Sequence, residues 1–151
     1  SILVEGVEGK ERLDVFLASE TGWTRSQIKI QVDGDFKGIT ISAMDLCTIF
    51  SNLLDNAIEA VKAMKETDRE ISVSARKTGS FWLLEVKNNT AFKVEISDRI
   101  KTTKSDKKEH GFGIGNVDRA VQKCGGEFQL DCKKAGEKFV FTAVVMLPLR
   151  N

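Results

Sequence analysis

The stretch that decides the fold is Ser51–Ala60, which reads SNLLDNAIEA. On a helical wheel its four strongly polar residues share an arc of about 100°. They are Asn52, Asp55, Asn56 and Glu59. Apolar residues fill the rest of the wheel, and Ser42 offers an N-cap upstream. This pattern predicts a long helix, from Ser42 to about Met64, with one buried face and one polar stripe.

The polar stripe has two interpretations. It is typical of the solvent-facing side of an amphipathic helix. However, it contains no lysine, and asparagine is a poor helix former because its amide competes for local backbone hydrogen bonds. Amide and carboxylate oxygens on successive turns can also hold Mg²⁺, which keeps several waters and shares its other positions with substrate phosphates.

In a second motif, EHGFGIGNV at 109–117, the glycines Gly111, Gly113 and Gly115 lead into a predicted helix. Glycines let the backbone approach phosphates closely, and a helix N-terminus presents N–H donors. The spacing matches neither the dinucleotide fingerprint nor the Walker loop. Together with a Mg²⁺ site, this motif indicates a nucleoside triphosphate.

The rest of the chain supplies strands. A strand begins at Ile28, and alternating runs predict hairpins around Thr78–Ser80 and Ala135–Gly136. Gly125–Gly126 ends the second helix, and the charged stretch from Asn88 to Glu109 reads as a long loop. We therefore predict an α/β fold, a two-layer sandwich with a mixed β-sheet and helices packed on one face. Residues 28–151 form this domain, and residues 1–27 form a helical extension or linker.

Bulk composition fits one globular domain. The chain has 151 residues, 41% hydrophobic content and a net charge of +1. This balance disfavours nucleic-acid and membrane-surface proteins as classes, and no apolar run has the length of a membrane span. The three cysteines form no CxxC pair and are interpreted as reduced thiols.

Taken together, NLLDNAIEA, LEVKNN and HGFGIGNV resemble the ATP-binding catalytic domain of sensor histidine kinases. That domain belongs to the GHKL superfamily, which has the Bergerat ATP-binding fold and includes DNA gyrase, MutL and heat-shock chaperones. The most similar subclass is the Agr-type peptide quorum-sensing kinases. The resemblance covers about residues 28–149 and implies ATP and Mg²⁺ as cofactors.

The resemblance also implies a nucleotide-binding set at the matching motif positions. Its members are Asn52, Asn56, Glu59, Asn88, Lys104, His110, Gly111, Gly113 and Gly115. Asn56 matches the Mg²⁺ ligand, and the three glycines match those that close a lid over the phosphates. Asn52 stands where hydrolysing relatives carry a glutamate. Because an amide cannot act as a general base, the site is expected to hold ATP for transfer.

One position departs from the superfamily. An aspartate followed by an Asn-Gly-x-Gly turn usually binds the adenine amino group, whereas this chain has Asn88 and no glycine up to Phe92. The quorum-sensing subclass shows similar losses. Since an asparagine amide can present either its oxygen or its nitrogen, we expect weak ATP binding and poor discrimination against GTP.

The single histidine, His110, is followed by glycine and cannot be the phosphoacceptor, which stands on a separate helix in this family. The chain is therefore expected to be a kinase fragment that does not autophosphorylate alone. The resemblance implies two partners: the dimerisation and phosphoacceptor helices of the parent kinase, and a response regulator. It also implies a cytoplasmic domain of a membrane-anchored parent, with no nucleic-acid or membrane contact of its own.

Two alternatives remain. An anti-sigma-factor serine kinase shares the fold but is expected to retain the aspartate and glycines that are missing at Asn88–Phe92. Residues 9–28, GKERLDVFLASETGWTRSQI, resemble the start of a small RNA-binding module of pseudouridine synthases. That module requires a further helix and a hairpin, so RNA binding by this segment is the less favoured function.

Overall fold

The computed structural model describes residues 29–34, 41–94 and 109–149, with only the backbone described for 29–34, 43 and 109–112. The described residues form five strands and two α-helices, which follow one another in the order predicted. They are β1 (Lys29–Gly34), α1 (Ala43–Lys62), β2 (Glu70–Thr78), β3 (Phe81–Thr90), α2 (Glu109–Lys123), β4 (Glu127–Ala135) and β5 (Lys138–Pro148). A short 3-10 helix, Glu66–Asp68, connects α1 to β2.

The strands form one mixed sheet in the order β1-β2-β3-β5-β4. β1 runs parallel to β2, and the other neighbouring pairs are antiparallel. The parallel pair is the one joined through α1, as expected because parallel strands need a crossover connection. The predicted mixed sheet is therefore confirmed.

Both helices pack on one face of this sheet. Alternate residues of β2, β3 and β5 turn inward and meet the apolar sides of α1 and α2 in one continuous core, with Trp82 and Leu84 fully buried at its centre. The buried side of α1 is the one that the wheel predicts: Phe50, Leu53, Leu54, Ala57, Ile58 and Val61. The two-layer α/β sandwich is thus confirmed, with the layers held together by burial of apolar surface.

The helix ends follow the signals in the sequence. The Ser42 hydroxyl accepts a hydrogen bond from the backbone N–H of Asp45 at 3.1 Å and so caps α1. At the end of α2, the N–H of Gly126 donates to the Val121 carbonyl at 3.0 Å, and Gly125 has φ 73°. This is a Schellman motif, in which glycine takes the left-handed conformation without strain.

Two boundaries differ from the sequence prediction. β3 continues to Thr90, so Asn88 lies in the strand and not at the start of a loop. The reason is pairing with β5, which continues to the Thr90↔Phe139 pair. α2 begins at Glu109, so the glycine motif lies inside the helix and not before it. The predicted N-terminal extension, 1–27, and the charged stretch 95–108 lie outside the described residues.

Candidate functional site

The two helices lie close together at Asn52 of α1 and Gly113 of α2. A Cβ atom added at Gly113 would lie 3.0 Å from Asn52 Oδ1 and 3.4 Å from its Cβ. Asn52 is held in place because its Nδ2 donates to the Thr48 carbonyl at 2.7 Å. The absence of a side chain at position 113 therefore allows this contact. It joins the two motifs that the sequence analysis singled out.

The polar stripe of α1 divides into two parts. Asn52 and Asn56 are half-buried, whereas Asp55 and Glu59 are exposed. The Glu59 carboxylate lies 3.6 Å from the ammonium of Lys62, and both side chains are about half exposed. Glu59 thus lies at the surface in an ion pair, and the two asparagines form the inner edge of the stripe.

Asn56 carries an unusual feature. Its Oδ1 is buried and accepts no hydrogen bond from the described part of the chain. A buried acceptor without a partner costs about 1–3 kcal/mol. Such an atom in a native protein calls for an explanation, and a bound ion or water is one of the usual ones. A hard cation fits, because Mg²⁺ prefers oxygen ligands.

The available ligands point the same way. Within residues 41–94 and 113–149, no three His, Cys, Asp or Glu side chains are placed to hold a metal ion together. The Asn56 amide oxygen is of the ligand type that Mg²⁺ takes, and Mg²⁺ usually keeps several waters beside its protein ligands.

Asn88 lies at the far end of β3 with its side chain on the helix-facing side, and it is only 2% exposed. Its Nδ2 donates to the backbone carbonyl of Asn89 at 3.2 Å. Because a carbonyl oxygen can only accept, this bond holds the amide nitrogen toward Asn89 and turns Oδ1 the other way. The sequence allows either end of this amide to face the site, and in this structure the nitrogen end bonds to Asn89, with Oδ1 directed away from that carbonyl.

The remaining predicted site residues are placed only in part. Gly115 lies half-buried in α2, two residues beyond the Asn52 contact. His110 and Gly111 belong to the first turn of α2, where only the backbone is described. Lys104 lies outside the described residues. The structure therefore brings Asn52 and Gly113 close together.

Sequence reasoning missed Asn89. Its side chain accepts from the N–H of Glu70 at 2.9 Å and donates to the Asp68 carbonyl at 2.6 Å. The available signal was the strand alternation itself: if β3 continues through Asn88, the next asparagine must turn to the opposite face. The Asn88-Asn89 pair was interpreted instead as part of a loop.

Comparison with solved structures gives the same fold. The catalytic domain of histidine kinase ThkA superposes with a TM-score of 0.70 at 15% identity, covering 92% of this chain and 90% of that one. A mycobacterial sensor histidine kinase, MprB, gives 0.69 at 17% identity, with 93% and 91% covered. The histidine kinase domain of the E. coli osmosensor EnvZ gives 0.58 at 16% identity, with 92% and 84% covered.

A search of curated protein sequences gave no match. Among the described helices, none is long and apolar enough to cross a membrane. The family model for the GHKL domain matches residues 41–148, which include α1, β3, α2 and every candidate residue of the site. The match covers well over half of the sequence, and the chain therefore belongs to the GHKL domain family.

Proposed function

We propose that this chain is the ATP- and Mg²⁺-binding catalytic domain of a sensor histidine kinase. Family membership and the histidine kinase folds support the class. The observation that carries the proposal is the unpartnered Asn56 oxygen, one turn from the contact between Asn52 and Gly113. An amide oxygen without a partner, beside the N-terminal turns of a glycine-rich helix, suits a metal–phosphate group.

In this proposal each residue has a separate task. The Asn56 oxygen would ligate the cation, which would supply positive charge beside the phosphates. The first turn of α2 would offer its free backbone N–H groups to phosphate oxygens, with Gly111 adding no side chain there, while Gly113 lets Asn52 pack beside this turn. The Asn88 oxygen accepts from the adenine amino group. The Asn52 amide cannot act as a general base or a general acid, so the γ-phosphate would be transferred only to an acceptor outside this chain.

The acceptor belongs to the parent kinase in this proposal. The dimerisation and phosphoacceptor helices would provide a histidine, and a response regulator would then receive the phosphate. The Agr-type subclass rests on the Asn88–Phe92 segment, where the aspartate and glycines of the wider family are absent. In that subclass the parent is membrane-anchored and this domain lies in the cytoplasm.

The decisive test is titration with a fluorescent ATP analogue, with and without Mg²⁺, on the wild type and on Asn56→Ala. We expect the dissociation constant of the variant to rise about tenfold or more with Mg²⁺, equivalent to about 1.4 kcal/mol. Without Mg²⁺ the two proteins should bind alike. The thermal midpoint should stay the same or rise slightly, because the substitution removes a buried unpaired oxygen.

Gln122→Ala serves as the matched control. It also removes a side-chain amide from a helix, but Gln122 is exposed on α2 and its contact is with Asp118 at 3.5 Å. Its nucleotide affinity should equal that of the wild type. If Asn56→Ala weakens binding equally in the presence and absence of Mg²⁺, the metal assignment is wrong.

A further inference from the structure

The Asn89 side chain acts as a short piece of strand. Its amide accepts from the N–H of Glu70 at 2.9 Å and donates to the Asp68 carbonyl at 2.6 Å. The two bonds engage the residues on either side of Arg69. A peptide group of a neighbouring strand would make the same two bonds. They continue the pairing of β2 with β3 beyond its last backbone pair, Ile71↔Asn88.

The segment that Asn89 holds is itself anchored. The Asp68 carboxylate pairs with the Lys138 ammonium of β5 at 2.8 Å. The Arg69 guanidinium donates from Nε to the Met64 carbonyl at 3.3 Å. The connection from α1 to β2 is therefore tied at once to the end of α1, to β3 and to the start of β5. Because this segment is anchored, the two groups that bond to the Asn89 side chain are held in place.

The next link leads to Asn88. The backbone carbonyl of Asn89 accepts from Asn88 Nδ2 at 3.2 Å, and Asn88 is buried. Pairing with β5 holds the Asn89 backbone on one side, and the two side-chain bonds tie the same residue to the β2 side, so that both together keep this carbonyl in one direction. The carbonyl in turn fixes which end of the Asn88 amide faces the interior.

We propose that Asn89 is a positioning residue for base recognition: it orients the Asn88 amide so that its oxygen alone reads the base. This inference rests on the proposed function. An oriented amide oxygen accepts a hydrogen bond from the adenine amino group. It repels the guanine carbonyl oxygen at the same position, because both atoms are acceptors. A carboxylate prefers adenine over guanine in any orientation, because both of its oxygens accept. In this chain two asparagines together would give the same preference.

Only an amide can make both contacts of Asn89. Aspartate could accept from the N–H of Glu70 but has no proton for the Asp68 carbonyl, and alanine makes neither bond. The substitutions therefore form a graded pair. Asn89→Asp leaves one of the two bonds possible, and Asn89→Ala leaves none.

The experiment measures ATP and GTP affinities by calorimetry on the wild type, Asn89→Ala, Asn88→Asp and the double variant. Asn89→Ala should lower the ATP-over-GTP ratio about fivefold, the factor that one ordinary hydrogen bond represents. In the Asn88→Asp background the same substitution should leave the ratio unchanged, because a carboxylate accepts in either orientation. Ser42→Ala is the stability control: it removes the side-chain cap of α1 and lowers stability, and it should leave the ATP-over-GTP ratio unchanged.

The outcomes are distinct. If Asn89→Ala weakens ATP and GTP equally, or changes the ratio as much in the Asn88→Asp background, then Asn89 only stabilises the fold and the inference is overturned. If the wild type binds neither nucleotide, the proposed function fails, and the inference fails with it. A ratio that falls only when Asn88 carries an amide supports the positioning role.

Discussion

Replacing Gly113 by alanine separates helix stability from nucleotide binding. Gly113 lies in α2 without a positive φ, and alanine in such a helical position is normally favourable by about 1 kcal/mol. Against this, the new Cβ would lie 3.0 Å from Asn52 Oδ1, and that amide must then move by a few tenths of an ångström. Moving it strains the 2.7 Å bond to Thr48, which has a value of about 1 kcal/mol.

The two terms nearly cancel, so the free energy of unfolding should change by less than about 1 kcal/mol, and the thermal midpoint by no more than about 2–4 °C. Nucleotide affinity has no such compensation. In the proposed site the phosphates must approach the backbone of this turn, and a displaced Asn52 or a protruding methyl group would prevent it. We expect the dissociation constant for ATP·Mg²⁺ to rise about tenfold or more.

Calorimetric titration and thermal melting followed by circular dichroism measure the two quantities on the same samples. Gly113→Val should lose affinity and stability together, because a β-branched side chain is stiff and bulkier. Gly79→Ala is the contrasting control: Gly79 has φ 59° in a hairpin turn with nothing within 4 Å of its missing Cβ. It should lower stability and leave binding intact. Unchanged ATP affinity in both Gly113 variants would refute the phosphate-approach role.

Three further expectations concern other parts of the chain. The wild type should bind ATP clearly more tightly than GTP. Asn88→Asp should strengthen ATP binding, because a charged acceptor makes a hydrogen bond about twice as strong. Calorimetry with both nucleotides measures these affinities, and equal wild-type affinities for ATP and GTP would contradict the first expectation. Gly126→Ala should lower the free energy of unfolding several times more than Gly79→Ala does, because the new Cβ would lie 2.3 Å from the Met146 carbonyl oxygen. Urea unfolding measures both variants, and a near-normal urea midpoint for Gly126→Ala would disprove that contact. The isolated chain should take up no acid-labile label from radioactive ATP, since its single histidine, His110, lies in the glycine motif; stoichiometric labelling would refute the fragment interpretation.

Much of the fold could be predicted because strong local signals agree with the tertiary structure. Ser42 caps α1 as expected, the apolar side of α1 is the buried one, and Gly125–Gly126 ends α2. At these positions the residue type that suits the local backbone also suits the core. The order of strands and helices follows from such positions, without knowledge of long-range pairing.

The end of β3 could not be predicted because long-range contacts decide it. Asn88 and Asn89 have low strand propensity, and together they resemble a turn. Pairing with β5 keeps them extended, and the Asn89 amide finds partners in a segment 19 and 21 residues away in sequence. The Asn88 amide bonds to the Asn89 carbonyl, and residue type alone could not predict which of its two ends that bond engages.

The parallel edge strand has a consequence for how the domain opens. β1 pairs with β2 alone, from Lys29↔Glu70 to Gly34↔Ala75, and the whole of α1 separates the two strands in sequence. The hairpins β2–β3 and β4–β5 close over turns of two residues. Contacts of long sequence separation cost more chain entropy to form, and edge elements open first in native-state exchange. Amide protons of β1 should therefore exchange with deuterium well before those of β3 and β5, so that the sheet can release one strand while its centre and both helices stay folded.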